Sequence, residues 1–440
     1  MRRLAAPALI ASLAGLSAGA TGNAPPVAPV DPGGFREVDP DMAALGQLLF
    51  FDPVLSGNRN IACATCHHPG LGTADGVALS LGEGGTGLGP DRVADPSNLP
   101  EQRIPRNAPG LFNLGHESFT VMFHDGRLEL DEARESGIRT PLGTEMEMGF
   151  ASVLSAQSMF PVLSPDEMAG HYSENEISQA VRIGRITGEG GAWDLLTDRL
   201  EVIPDYRAAF TEVFGPEDIR FTEVSDALAA FIELEWRADD SPFDRYLRGA
   251  ADLPADAARG AVLFYGEAGC SSCHSGPFQT DNGFHATGLV QFGPGKRGRF
   301  ETHLRDEGRY RVTGDPADLY AFRTPSLRNV AATAPYGHDG AYPDLPGFIR
   351  AHLAPRAAWD AYDAATVPIP ALPGEDPFMA ARDPEMRAAI LGAVSFEDRA
   401  LSEAEIADLV AFLGSLTDEA ALDGRLGIPE TVPSGLPVER

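Results

Sequence analysis

Positive charge is scarce in this chain. Its 440 residues carry 34 Lys and Arg against 64 Asp and Glu, a formal net charge of −30. Phosphate contacts need clustered basic side chains, so nucleic-acid binding is excluded. The acidic surface is either simply solvated or steers a basic partner. Long apolar runs are scarce too. The single one lies at the start, where Arg2 and Arg3 precede Leu4 to Leu16, interrupted by Pro7, and Ala18-Gly19-Ala20 follows. A charged start, a short apolar stretch and a small-residue end make a secretory signal peptide, residues 1–20. An uncleaved anchor is the alternative. No other span is present, so the expectation is an exported, periplasmic protein without a membrane span in its mature form.

Cysteine is limited to four residues, and their placement carries the most information. Cys63-Ala64-Thr65-Cys66-His67 and Cys270-Ser271-Ser272-Cys273-His274 are two C-x-x-C pairs, each followed directly by histidine. This is the attachment pattern for c-type haem. Two thiols add to the two vinyl groups of one haem, and the next residue brings its imidazole under the iron. One zinc held by all four sulfurs would need a far shorter separation and would not use the histidines. Two disulfides would suit an exported chain but leave the histidines unexplained. Two covalent haem c groups are therefore expected, with His67 and His274 as proximal ligands.

The two halves of the chain resemble each other. Leu45-Gly46-Gln47-Leu48-Leu49-Phe50-Phe51 precedes the first site and Arg259-Gly260-Ala261-Val262-Leu263-Phe264-Tyr265 the second. Later in each half comes an amphipathic pattern: Val224, Leu228, Phe231 and Ile232, then Ile406, Leu409, Val410 and Leu413. Ser402 and Glu405 form a capping box for the latter. The spacing predicts a mainly α fold of two cytochrome c-like domains with long loops. Their ranges are 38–250 and 251–430, after a flexible lead-in at 21–37 and before a tail at 431–440. Gly82-Glu83-Gly84-Gly85-Thr86-Gly87 matches G-x-G-x-x-G, but no strand precedes it and Pro90 follows. It reads as a flexible loop over the first haem, not a dinucleotide site.

Several strings together resemble the bacterial di-haem cytochrome c peroxidases, a family that includes the MauG enzymes. They are Leu45 to His67, Asp125-Gly126-Arg127, Ala156 to Met168 and Phe322 to Gly340. The resemblance covers about residues 38–420 and implies two domains facing across an inter-haem cleft. One haem reacts with peroxide and the other handles electrons. It also implies a peroxide pocket of Gln, Pro and Glu, matched here by Gln157, Pro161 and Glu167, with Glu145 and Glu147 as rival acids. A calcium between the domains is implied at Asn107, Thr333 and Pro335. The implied partners are hydrogen peroxide and a donor cytochrome c or cupredoxin, or an oxidisable side chain on a protein substrate.

Three departures from the resemblance bear on function. Many of these peroxidases cap the first iron with a histidine some sixteen residues after the first haem motif. Here no histidine lies between His68 and His116, so that iron is expected to be open. His116 is the one improvised alternative. The tryptophan usual before Asp125-Gly126-Arg127 is replaced by His124, which is harder to oxidise. The second iron's far ligand, Met or Tyr in relatives, falls on His352. The leading reading is a peroxidase. Its rivals are MauG-like oxidation of a partner protein and a di-haem electron carrier without peroxide chemistry.

Overall fold

The computed structural model describes residues 26–171, 173–298 and 301–440. The signal sequence expected at 1–20 lies outside the described residues. The fold is mainly helical, and sheet is confined to short antiparallel ladders. These pair Gly85–Thr86 with Val93–Ala94, join Val121–Met122, Leu128–Leu130 and Ile138–Arg139, and pair Phe284–His285 with Phe322–Arg323. No helix among the described residues is long and apolar enough to cross a membrane.

Each haem motif is preceded by a leading helix, Pro40–Phe51 in the first half and Ala255–Tyr265 in the second. Asp39 caps the former through the Asp41 amide, with Pro40 in the first helical position where its missing N–H costs nothing. Each half also contributes a closing helix, Phe221–Glu235 and Glu403–Gly414. The Ser402–Glu405 capping box forms as the sequence predicts, the carboxylate accepting from the Ser402 amide at 2.6 Å.

Leading and closing helices pack on each other in the same way in both halves. Gly46 lies against the backbone of Ala227, and Gly260 against that of Asp408. A methyl group on either glycine would overlap a helix carbonyl oxygen. Four residues on, Phe231 sits 5.2 Å from Phe50 and Phe412 sits 5.0 Å from Phe264, measured between ring centroids. The sequence repeat is therefore a repeat of side-chain packing. One apolar core is built mostly from residues of the first half, joined by Phe278, Ala421 and Val432, and a second mostly from residues of the second half, joined by Ala78 and Leu79.

Segments outside these helices are less loose than the sequence suggests. Within the lead-in, Val27 packs on the second core and Val30 and Phe35 on the first. Val432, Leu436 and Val438 dock the C-terminal segment against the first core, and Ser434 donates to Asp52. The glycine-rich loop at 82–87 is a correction to the flexible loop expected. Gly82 to Gly85 are buried, and the Arg92 guanidinium donates to the carbonyls of Gly82, Gly85 and Gly87. Residues 78–107 then tie the two cores together. Buried Arg103 reaches Glu375 at 2.5 Å, and Arg106 forks onto both oxygens of Asp306 at 2.7 and 2.9 Å. The Ala78 amide donates to Pro368 at 2.8 Å.

The glycine contacts make a signed prediction. Alanine is the better helix former by about 1 kcal/mol. Gly392, at a helix end with nothing near its missing methyl, should gain stability as Gly392→Ala. Gly46→Ala and Gly260→Ala should instead lose about 1–3 kcal/mol or more by overpacking. Urea unfolding of the three variants reads both signs.

Candidate haem sites and peroxide pocket

At the first motif Cys63–Cys66 form a single helical turn, and the His67 amide donates to Cys63 at 3.0 Å. The second motif repeats this, the His274 amide donating to Cys270 at 2.9 Å. At the first motif Cys63, Cys66 and His67 all face one cavity. The four cysteines are unpaired, so neither motif is closed by a disulfide. Burial pushes the Cys63 and Cys66 thiols up to about 12.

The histidines are oriented through one nitrogen each. His67 Nδ1 lies 2.9 Å from the Thr73 carbonyl and His274 Nδ1 lies 2.9 Å from that of Gln279. A carbonyl only accepts, so Nδ1 carries the proton and Nε2 presents a lone pair. Second-sphere bonds of this kind orient a metal-bound imidazole. His352, on the helix Leu345–Leu353, follows the same rule: its Nδ1 lies 3.1 Å from the Phe348 carbonyl. Its pKa is pushed down to about 4, first by burial and then by the neighbouring His274. His274 is the charged neighbour that acts on His352 after burial itself. Three half-buried imidazoles, each held at Nδ1, and four unpaired sulfurs fit two covalent haems.

The first motif opens on a cavity. Its walls bring together His67, Gln157, Pro161 and Glu167, with His124, Arg127 and Lys296. Ser152 caps the short helix Val153–Ser158 that carries Gln157, and Ser164 accepts from the Glu167 amide. Burial raises the Glu167 pKa above the usual carboxylate range, against the pull of Arg127 and Lys296. Glu145 and Glu147 are not among the lining residues. His116 is outside the cavity as well, wedged between Phe35 and Phe278 at 4.9 and 4.7 Å. His124 donates from Nε2 to the Asn107 carbonyl at 3.1 Å, and burial with Arg106 beside it pushes its pKa down to about 3.

The cofactor signals extend to Asn107. Its Nδ2 donates to the Pro335 carbonyl at 2.8 Å, while its Oδ1 is buried without a hydrogen-bond partner. Thr333, two residues before Pro335, packs its methyl near Gly110. Sequence reasoning missed two residues. Lys296 reaches the cavity from the second half of the chain, its pKa pushed down to about 8 by burial and the nearby arginines. Its long loop offers no periodic signal. Glu83 stands sixteen residues after His67, where many relatives carry the capping histidine. Its side chain is fully buried and held by Asn58, Asn60 and Asn98, and it is not among the cavity's lining residues.

Residues 40–252 match the family described as di-haem cytochrome c peroxidase. Cytochrome-c peroxidase IdrP1 of Denitromonas iodatirespirans is 30% identical over 357 residues, covering 75% of this chain and 78% of that protein. The chain belongs to the di-haem cytochrome c peroxidase family. Two haem c groups are its cofactors, and it is an oxidoreductase of this type. Methylamine utilization protein MauG of Methylorubrum extorquens is 34% identical over 303 residues. That match covers 68% of this chain and 65% of MauG. Cytochrome c551 peroxidase of Pseudomonas aeruginosa is 31% identical over 299 residues, covering 67% of each. Among solved structures, a MauG-like protein associated with microbial copper homeostasis matches with a TM-score of 0.57 at 25% identity, over 90% of this chain and 94% of that one. The diheme peroxidase BthA from Burkholderia thailandensis shares the fold, with a TM-score of 0.58 at 22% identity over 94% of each chain.

Asp75 gives this peroxidase a measurable pH dependence. It lines the cavity at 2% exposure, its Oδ2 has no partner, and burial pushes its pKa up to about 7. The unfolded value is near 4. Between about 4 and 7 the folded chain keeps a proton that the unfolded chain has lost, so stability falls as pH rises through that window. Asp75→Asn should match the wild type at pH 4 and exceed it above pH 7, by at most about 4 kcal/mol. Urea unfolding at both pH values is the check.

Proposed function

We propose that this chain is a periplasmic di-haem peroxidase that reduces hydrogen peroxide to water with two electrons from a small cytochrome c or cupredoxin. The observation that carries the reading is one cavity that joins His67 to Gln157, Pro161 and Glu167. In this reading residues 38–250 and 251–430 are two cytochrome c-like units. His67 holds the iron of the peroxide-reactive haem, while His274 and His352 hold that of the electron-handling haem. When bound, haem supplies the redox chemistry that splits the O–O bond.

The side chains supply binding and proton transfer. Gln157 hydrogen-bonds peroxide and orients its oxygens. Glu167 takes the proton from the inner oxygen and returns it to the outer one, so that the outer oxygen leaves as water. Burial raises its pKa, which favours the protonated form that a proton donor needs. Pro161 shapes the wall and offers no donor. His124 stays neutral and fixed on the Asn107 carbonyl, so it acts as a spacer, not an electron relay. Calcium at Asn107, Thr333 and Pro335 fits the orphaned Oδ1: turning that amide would set two oxygens face to face, the hard donors calcium prefers.

One observation favours a second reading, MauG-like oxidation of a partner-protein side chain. Methionine opposite histidine raises a haem's potential, and His352 replaces that sulfur with a stronger donor. Such a site would hold an oxidising equivalent better than a reserve electron. A carrier without peroxide chemistry leaves Gln157 and Glu167 without a use.

The test is Glu167→Gln, which keeps the shape and removes the proton shuttle. Peroxide turnover with reduced cytochrome c should slow by about 10²–10⁴-fold with both haems retained. Unchanged turnover in Glu167→Gln, with loss in Glu147→Gln, would move the pocket elsewhere.

A further inference from the structure

Two groups of potential metal-ligating side chains converge among the described residues. Cys273, Asp281 and His285 form one, but its sulfur belongs to the haem motif and its imidazole already bonds Asp281 at 2.9 Å. Glu83, His171 and Glu174 form the other, and their ligand atoms lie within 4.8 Å of one another.

The second group is built in two layers. Oε1 of Glu83 accepts from the amides of Asn58, Asn60 and Asn98. Oε2 of Glu174 accepts from Asn58 at 2.7 Å and from the His171 backbone at 3.0 Å. One oxygen of each carboxylate is thus committed to holding the side chain in place. The other oxygens, Glu83 Oε2 and Glu174 Oε1, face His171 Nδ1 at 3.6 and 3.8 Å. Glu83 Oε2 shares only the Asn98 amide, at 3.0 Å. His171 is 6% exposed, and its Nδ1 has no hydrogen-bond partner. An unpartnered imidazole nitrogen buried between two carboxylate oxygens is costly unless something fills the gap.

We propose that Glu83, His171 and Glu174 bind a divalent first-row transition-metal ion, Zn²⁺ or Mn²⁺, separate from the haem irons. Two carboxylate oxygens and one imidazole nitrogen suit these ions, whereas calcium and magnesium favour all-oxygen sets. Zinc bonds of about 2.1 Å place neighbouring tetrahedral ligands about 3.4 Å apart. The two separations from His171 Nδ1 need to close by only a few tenths of an ångström, the two carboxylate oxygens start within 4.8 Å of each other, and water completes the shell. Metal on Nδ1 puts the ring proton on Nε2. That nitrogen lies 3.4 Å from the Glu101 amide and 4.0 Å from Asp166 Oδ1. It then exchanges a weak contact for one to Asp166, the carboxylate–histidine–metal arrangement. Glu174 keeps 31% of its side chain exposed and gives the ion a way in. The ion would staple the buried glycine-rich loop to the chain just after Glu167, since Gly82 packs on the Asp166 carbonyl. The proposal stands on this geometry and not on the peroxidase reading.

The experiment uses the haem-loaded protein, stripped with EDTA and titrated with ZnCl₂ by calorimetry. Zinc K-edge absorption then reads the ligands. One tight site with a single imidazole ligand and a raised thermal midpoint is expected. His171→Gln and Glu174→Gln should weaken that site at least tenfold, while Asn107→Ala leaves it intact. Should His171→Gln fold poorly, the half-exposed Glu174→Gln decides alone. No tight zinc uptake by the wild type, or the same affinity in Glu174→Gln, overturns the proposal.

Discussion

An imidazole presents one nitrogen in a fixed direction when the other is held by a hydrogen bond, and much of this fold serves that constraint. His67, His274 and His352 each give Nδ1–H to a backbone carbonyl, at 2.9, 2.9 and 3.1 Å. The first two carbonyls belong to loops five or six residues beyond the haem motif, and the third to the preceding turn of the same helix. Loops can hold such positions only when packed. Phe278, beside Gln279, packs on Phe35, His116 and Phe119. In each half the leading and closing helices pack closely, with Gly46 and Gly260 allowing backbones to touch and Phe231 and Phe412 filling the space beyond.

Charge is distributed in the opposite sense to the overall composition. The chain carries −30, yet the cavity wall facing Glu167 holds Arg127 and Lys296. Arg106 lies close behind, paired with Asp125 and Asp306, which it holds below the usual carboxylate range. Burial raises the Glu167 pKa while Arg127 and Lys296 restrain the rise.

Much of this was legible in the sequence because it is written in short-range chemistry. A C-x-x-C-H motif specifies its own turn, and the repeat around Gly46 and Gly260 shows a helix pair twice. The family resemblance pointed to Gln157, Pro161 and Glu167, and all three line one cavity. What escaped was set by distant partners. The glycine-rich loop read as flexible because glycine is permissive, yet Arg92 clamps three of its carbonyls. The lead-in and the C-terminal segment lack periodicity and still dock through Val30, Phe35, Val432 and Ser434. Glu83 could have been found by counting sixteen residues from His67. Its ring of asparagines and His171 could not, since those residues are scattered from Asn58 to Glu174.

The central claim is that peroxide meets an open iron on the His67 side. The position where many relatives place a capping histidine holds Glu83, turned away into its asparagine cluster. The most direct measurement is stopped-flow mixing of the fully oxidised, as-isolated protein with hydrogen peroxide, beside its resting electron paramagnetic resonance spectrum. The account predicts one high-spin and one low-spin haem and immediate reaction with peroxide. Two low-spin haems, with reaction appearing only after one-electron reduction, would contradict it.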